Sequence, residues 1–377
     1  MKVPPLVNPG LVLSADEQRH FSRQIVIPEL SLDGQSRLKH ARVLCVGAGG
    51  LGSPALLYLA AAGVGTLGIV DFDTVDESNL HRQILFGKLD IGKKKAEVAQ
   101  HKINQAYPFV EVVTFITRLD NSNALAIFSD FDIIIDATDN FATRYLINDA
   151  AVLLNKPYAW GSVNRFDGQA AIFWNTYGPC YRCVHPVPPA PGSVQNCAEA
   201  GVLGVTCASI ASLQVNEVIK AITGIGDLQI GKLLVFDSLE SNFTKVEIRK
   251  DPSCSLCSEN PTQTRLLDDY EVFCGNVRGA EISASELQNK ISAADDFILI
   301  DVREPEEFDH SRIPNSILIP SGLFADASAL AQLPRNKEII LHCHSGIRSA
   351  QCLEIIQKNG FTNSRHLRGG IVAWEKL

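Results

Sequence analysis

Four of the ten cysteines stand in two Cys-x-x-Cys turns, Cys180-Tyr181-Arg182-Cys183 and Cys254-Ser255-Leu256-Cys257. Each turn offers two thiolates, and two such turns complete the closed tetrahedral shell that a structural Zn²⁺ takes. The wide spacing between the pairs predicts a clasp joining distant segments, not a local finger. Redox-active or incidental thiols, and His185 as a competing ligand, are the alternatives. A further cysteine opens the run Cys343-His344-Ser345-Gly346-Ile347-Arg348-Ser349. The backbone N–H groups of such a loop, a helix dipole behind it and Arg348 would stabilise a thiolate or an anionic persulfide. A phosphatase loop has five residues between its cysteine and arginine; here there are four, a tighter cradle suited to sulfur. The plainer reading is a helix start with an incidental thiol. Cys197 lies in the polar stretch Gln195-Asn196-Cys197-Ala198-Glu199, where composition alone predicts an inert thiol. Cys45, Cys207, Cys274 and Cys352 fall in apolar or mixed segments and read as small core residues.

A second kind of chemistry is written in Gly47-Ala48-Gly49-Gly50-Leu51-Gly52, between a strand pattern and a helix pattern. Glycines let the backbone turn tightly and approach a phosphate, which then lies on the helix N-terminus. Asp71 comes about 20 residues later, where a ribose-binding acid belongs. These residues alone leave NAD, ATP and an empty tight turn all open. The charged residues further along the chain favour ATP. Arg82 and the lysines at 93–95 come after an acid-terminated strand and suit triphosphate charge, while an acid at the end of a later strand, in Asp136-Ala137-Thr138-Asp139-Asn140, suits Mg²⁺. Hydride transfer needs neither. Lys93 to Lys95, taken alone, also reads as a solvated charge run.

These residues need a scaffold. Arg42 to Val46, Leu67 to Phe72 and Phe131 to Asp136 read as strands, and Pro54 to Ala62 as a helix. Strand alternating with helix predicts a parallel sheet with its functional loops at the strand C-termini. From Lys250 to Asp269 the pattern lapses into Pro, Ser, Asn, Thr and Gln, which predicts a linker. Beyond it, Phe297 to Ile300 and Glu338 to Leu341 read as buried strands, and Ser349 to Lys358 as a helix stopped by Asn359-Gly360. The 377 residues predict two or three domains. Lys plus Arg total 34 against 42 acids, a net charge of −8, which argues against a nucleic-acid binder working through bulk charge. No apolar run reaches the length of a membrane span. The first residues lack the pattern of a secretory signal. A cytoplasmic, thiol-rich enzyme is expected.

Together with Arg19-His20-Phe21-Ser22-Arg23 and the loop around Cys197 up to Gly204, these motifs resemble the MoeB/ThiF family, bacterial relatives of ubiquitin-activating enzymes. The likeness covers roughly the first 255 residues. It implies a Rossmann-like α/β domain in which Gly50, Asp71, Ser78, Asn79, Leu80, His81, Arg82, Lys95, Asp139 and Asn140 bind ATP. Asp139 would also hold Mg²⁺, and Arg23 would reach the phosphates of a neighbouring subunit in a homodimer. Cys180, Cys183, Cys254 and Cys257 would hold Zn²⁺, and Cys197 would become a catalytic thiol. Asp301-Val302-Arg303, the Cys343 loop and Leu367-Arg368-Gly369-Gly370 through Trp374 are similar to a rhodanese domain, in which Cys343 carries a persulfide supported by Arg348. The implied layout is an adenylyltransferase domain at 1–257, a linker at 258–270 and an α/β rhodanese domain at 271–377. The implied activity is adenylation of the Gly-Gly terminus of a ubiquitin-like sulfur carrier, then sulfur transfer to give a thiocarboxylate. The sulfur would come from a donor such as a cysteine desulfurase or thiosulfate. A non-catalytic adaptor with a sulfur-binding module, and an NAD enzyme, are the rival readings.

Overall fold

The computed structural model describes residues 1–10, 12–189, 201–274, 281–325 and 328–377. They divide into two compact units, the first made of the described residues within 1–188 and 201–270, the second of Pro189 and those within 271–377.

In the first unit the strands are β1 (Arg42–Val46), β2 (Thr66–Val70), β3 (Glu111–Phe115), β4 (Ile133–Asp136), β5 (Tyr158–Asn164), β6 (Asp167–Phe173), β7 (Lys232–Asp237) and β8 (Asn242–Glu247). They form one sheet in the order β3-β2-β1-β4-β5-β6-β7-β8. The first five are parallel and the rest are joined antiparallel. Strands β2 and β4 are continuous apolar runs because helices cover both faces of a parallel sheet, and every residue of both is buried. The long helix Gly204–Thr223 packs across β5 and β6 and against the helix Gly52–Ala62.

Register then places the chemistry. Val46 pairs with Val70 on one side and with Asp136 on the other, so β1, β2 and β4 end side by side. The chain reverses its direction of travel through the sheet between β1 and β4, and such a switch point opens a crevice beyond the strand ends. Gly47 turns there at φ +95°, and a Cβ on Gly52 would sit 1.9 Å from the Gly47 carbonyl oxygen. No other residue type fits that turn.

The second unit has β9 (Glu281–Ile282), β10 (Phe297–Asp301), β11 (Ile317–Leu318), β12 (Glu338–His342) and β13 (Ser364–Leu367), all parallel in the order β11-β10-β12-β13-β9. Alternate residues of β12 serve two apolar clusters: Ile339 and Leu341 pack with Ile356 and Phe361, while Ile340 packs with Leu287 and Ile371. The helix after β12 runs Ile347–Lys358, two residues longer at its start than the apolar pattern predicts. Gly346, left-handed at φ +99°, launches it directly from the Cys343 loop. Among the described residues no helix is long and apolar enough to cross a membrane.

Candidate active site

Beyond the ends of β1, β2 and β4 lies a cavity of about 910 Å³. Its walls carry Gly49, Gly50, Asp71, Ser78, Asn79, His81, Arg82, Lys95, Asp139 and Asn140, so nearly the whole predicted nucleotide set converges. Asp71 ties the loop to β2: its Oδ2 accepts the Ala48 N–H and its Oδ1 the Asp73 N–H, both at 2.8 Å. Burial pushes its carboxyl up, while those N–H groups and Lys95 pull it down. Of the three lysines at 93–95 only Lys95 is buried; its ammonium donates to Asp73 Oδ2 at 2.9 Å. Arg82 is aimed by Asn79, whose Oδ1 accepts Nη2 at 2.6 Å. Asn140 caps the helix Phe141–Leu153 by accepting the Thr143 N–H.

Two predicted residues stand elsewhere. Leu80 packs against the core and is absent from the cavity wall. Arg23 lies on the exposed side of the short helix Ser22–Ile25, outside its own chain's cavity. Cys197 lies outside the described residues. Sequence reasoning also passed over one group. Arg144 reaches the cavity wall from the first turn of the helix Phe141–Leu153. Asp136 sits fully buried behind it, its carboxyl raised by burial and lowered by Arg144 and Thr138. Asp136 ends the apolar strand, where the sequence places an acid; a helical arginine carries no local signal.

The four clasp sulfurs meet as the spacing predicts. Cys180 Sγ lies 3.9 Å from Cys183 and 3.7 Å from Cys254, Cys183 lies 3.4 Å from Cys257, and all four fall within 4.8 Å of one another. Zinc–sulfur bonds of about 2.3 Å arranged tetrahedrally put sulfurs about 3.8 Å apart, so the donor set fits Zn²⁺ and leaves no open ligand position. His185 is not in the cluster. Hydrogen bonding among the thiols pulls Cys183 down to about 7 and Cys254 lower still, while Cys180 and Cys257 are raised. Arg182, inside the first turn, makes a buried two-pronged bond to Asp149, with Nε to Oδ1 and Nη2 to Oδ2 both 2.8 Å. The Tyr270 hydroxyl and Gln263 amide donate to the same carboxylate at 2.7 and 2.6 Å. The Pro- and Ser-rich stretch after the clasp is thereby anchored to the first unit.

Cys343 succeeds β12 with its thiol buried. The Gly346 N–H donates to Sγ at 3.1 Å and Ser349 Oγ at 3.5 Å, donors that stabilise a sulfur anion. The Ile371 and Val372 N–H groups hold the Cys343 and His344 carbonyls at 2.8 and 3.2 Å. Arg348 pairs through two 2.7 Å bonds with Glu307 and holds that carboxyl down at about 2. Asp301 and Arg303 form a buried clamp, Arg303 also donating to the Ser311 carbonyl at 2.6 Å; this motif is structural. Burial lowers the neighbouring His342 to about 4, so it is neutral.

A glycine-turn nucleotide cavity on a switch-point sheet, in a unit that also carries a four-cysteine clasp, defines an adenylate-forming fold, and the chain belongs to the ThiF family, whose model matches residues 21–256. A rhodanese-like domain model matches residues 283–377. The chain is 50% identical over 386 residues to the "Probable adenylyltransferase/sulfurtransferase MoeZ" of Mycobacterium tuberculosis, covering 99% of this chain and 97% of that protein. It is 40% identical to the "Adenylyltransferase and sulfurtransferase MOCS3" of Drosophila ananassae, covering 96% and 84%. It is 49% identical over 265 residues to the "Sulfur carrier protein adenylyltransferase" of Thermus thermophilus, covering 69% and 97%. Among solved structures, "Crystal structure of E. coli MccB + MccA-N7isoASN" matches 66% of this chain and 76% of its own at 23% identity, with a TM-score of 0.58, and shares the fold. The chain is an enzyme, an adenylyltransferase joined to a sulfurtransferase, and ATP is its nucleotide.

Proposed function

We propose that the chain activates the C-terminal carboxylate of a ubiquitin-like sulfur carrier ending in Gly-Gly, then replaces one carboxylate oxygen with sulfur. The observation that carries this reading is the pairing, in one chain, of a cation-lined ATP cavity with a buried thiol held by N–H and O–H donors. In the cavity the carrier carboxylate attacks the α-phosphorus and pyrophosphate leaves, giving an acyl-adenylate. Such transfers depend on positioning and charge more than on covalent help from the protein. Arg82 and Lys95 would steady the phosphates. Asp139, an exposed carboxylate at the wall, would hold Mg²⁺, which neutralises phosphate charge when bound. Arg23 is exposed and does not line its own chain's cavity, which supports its service to a neighbouring subunit in a homodimer.

Cys343 carries the outer sulfur of a persulfide. That sulfur attacks the activated carbonyl, AMP departs, and an acyl disulfide results. Cys197 attacks the Cys343 sulfur, releasing the thiocarboxylate and leaving a Cys343–Cys197 disulfide for cellular thiols to reduce; a prior thioester on Cys197 is the alternative order. A cysteine desulfurase or thiosulfate would reload Cys343. Nine described cysteines are free, which suits the reducing cytoplasm.

The test is carrier-dependent ATP–pyrophosphate exchange together with mass spectrometry of the carrier. Asp139→Ala should abolish exchange. Cys343→Ala should leave exchange intact and stop the oxygen-to-sulfur mass change. Undiminished exchange in the first variant, or loss of both activities in the second, would overturn the assignment.

A further inference from the structure

The nucleotide cavity holds a buried cation whose hydrogen-bond donors its own fold leaves largely unused. Arg144 is only 8% exposed and lies in the first turn of the helix Phe141–Leu153, at the positive end of the helix dipole, where a cation is disfavoured and an anion favoured. Its guanidinium lies 5.3 Å from the Phe141 ring centroid and 5.8 Å from that of Trp160, so two aromatic rings fix its orientation. Yet its hydrogen-bonding capacity is barely used. Nη2 makes one 3.3 Å bond to the Thr138 carbonyl, and the buried Nε meets no partner. Asp136 is near enough to feel the charge, but its Oδ2 is likewise buried and unpartnered, so the two are not bonded through those atoms.

A buried guanidinium with unused donors is costly unless an anion arrives to meet it. The sheet indicates which anion. Asp71 comes after β2 and Arg144 after β4, on opposite sides of the β1 glycine loop. With ribose at Asp71 and phosphates at the loop, Arg82 and Lys95, the β4 side is where the acyl group must enter. We infer that Arg144 is the receptor for the terminal carboxylate of the acyl substrate, which its planar fork grips and turns toward the α-phosphorus. The geometry suits this, since guanidinium and carboxylate pair through two parallel hydrogen bonds. This deepens the carrier-activation reading and rests on it.

The experiment measures binding of a Gly-Gly-ended ubiquitin-fold carrier in two forms, terminal carboxylate and terminal carboxamide, to the full chain with a non-cleavable ATP analogue present. Arg144→Gln should reduce the preference for the carboxylate form by on the order of 10- to 100-fold relative to wild type, the range for a charged hydrogen bond. Affinity for the ATP analogue alone should stay within about twofold. Arg144→Lys keeps the charge without the fork; it should keep part of the preference and serves if the Gln variant does not fold. An unchanged preference in the Gln or Lys variant overturns the inference. So does a loss confined to ATP affinity, which would assign Arg144 to a phosphate. If wild type neither binds the carrier nor exchanges pyrophosphate in its presence, the carrier reading itself is refuted.

Discussion

Removing the Asp149 carboxylate should unfasten the clasp region, and the size of the effect can be worked out in advance. Asp149 is 0% exposed and Arg182 3%; one carboxylate accepts two bonds from Arg182 and one each from Tyr270, Gln263 and the Asn148 amide. Asp149→Ala leaves a guanidinium buried without a counter-ion, and deleting one partner of such a pair costs about 3–5 kcal/mol. At about 2–4 °C per kcal/mol for a domain of this size, the first unit should melt roughly 6–20 °C lower. Calorimetry on the full chain reads this directly, because the transition that ATP raises belongs to the unit that binds it. A rescue is expected as well. Asp149→Leu combined with Arg182→Met removes both charges and should recover most of the loss, since an apolar pair of similar volume replaces a buried ion pair at little cost. A melt within about 2 °C of wild type for the single variant would refute the assigned cost, being under the roughly 1 kcal/mol such a shift represents. So would a double variant as unstable as the single one.

The same geometry sets two further outcomes. Cys254→Ser removes one donor of the zinc set; the purified variant should contain less than stoichiometric zinc by metal analysis and unfold more readily, and full zinc content would show that the four sulfurs are not the ligand shell. Glu307→Gln tests the support of Arg348: the carboxyl is held at about 2, below its ordinary 4.5, so its stabilisation is present above about pH 4.5 and fades as pH falls through 2. The pair is about one-third exposed, which after solvent screening leaves about 1 kcal/mol; urea unfolding should show that gap at pH 7 and a narrowing gap from pH 4.5 downward, and a gap independent of pH would refute it.

Local pattern made much of this molecule legible. The glycine run, the acid-ended apolar strands and the paired cysteines each announce themselves within a few residues, because tight turns, buried strands and two-thiol turns are short-range requirements. The cavity residues from Asp71 to Asn140 therefore converge as their motifs imply. What sequence did not disclose depends on contacts between distant segments. Leu80 sits within a motif of cavity residues yet turns to the core, since a short irregular segment alternates its faces without a fixed period. Arg144 looks like an ordinary helical cation until Phe141, Trp160 and Asp136 surround it. The stretch after the clasp reads as polar and loose; only the fold brings Gln263 and Tyr270 to Asp149, more than a hundred residues earlier in the chain.

The turn at Gly369-Gly370 has a consequence for how the sulfur-carrying loop can vary. A Cβ on Gly370 would stand 2.4 Å from the carbonyl oxygens of both Cys343 and His344, and one on Gly346 would stand 3.0 Å from the Gly369 nitrogen. The nucleophile's curvature is thus moulded against a strip of bare backbone near the chain's far end. Mutational scans that watch only the neighbourhood of the thiol will overlook its mould. A methyl group added at position 370 should deform the loop without touching sulfur, so tolerance at these two places is inherited jointly.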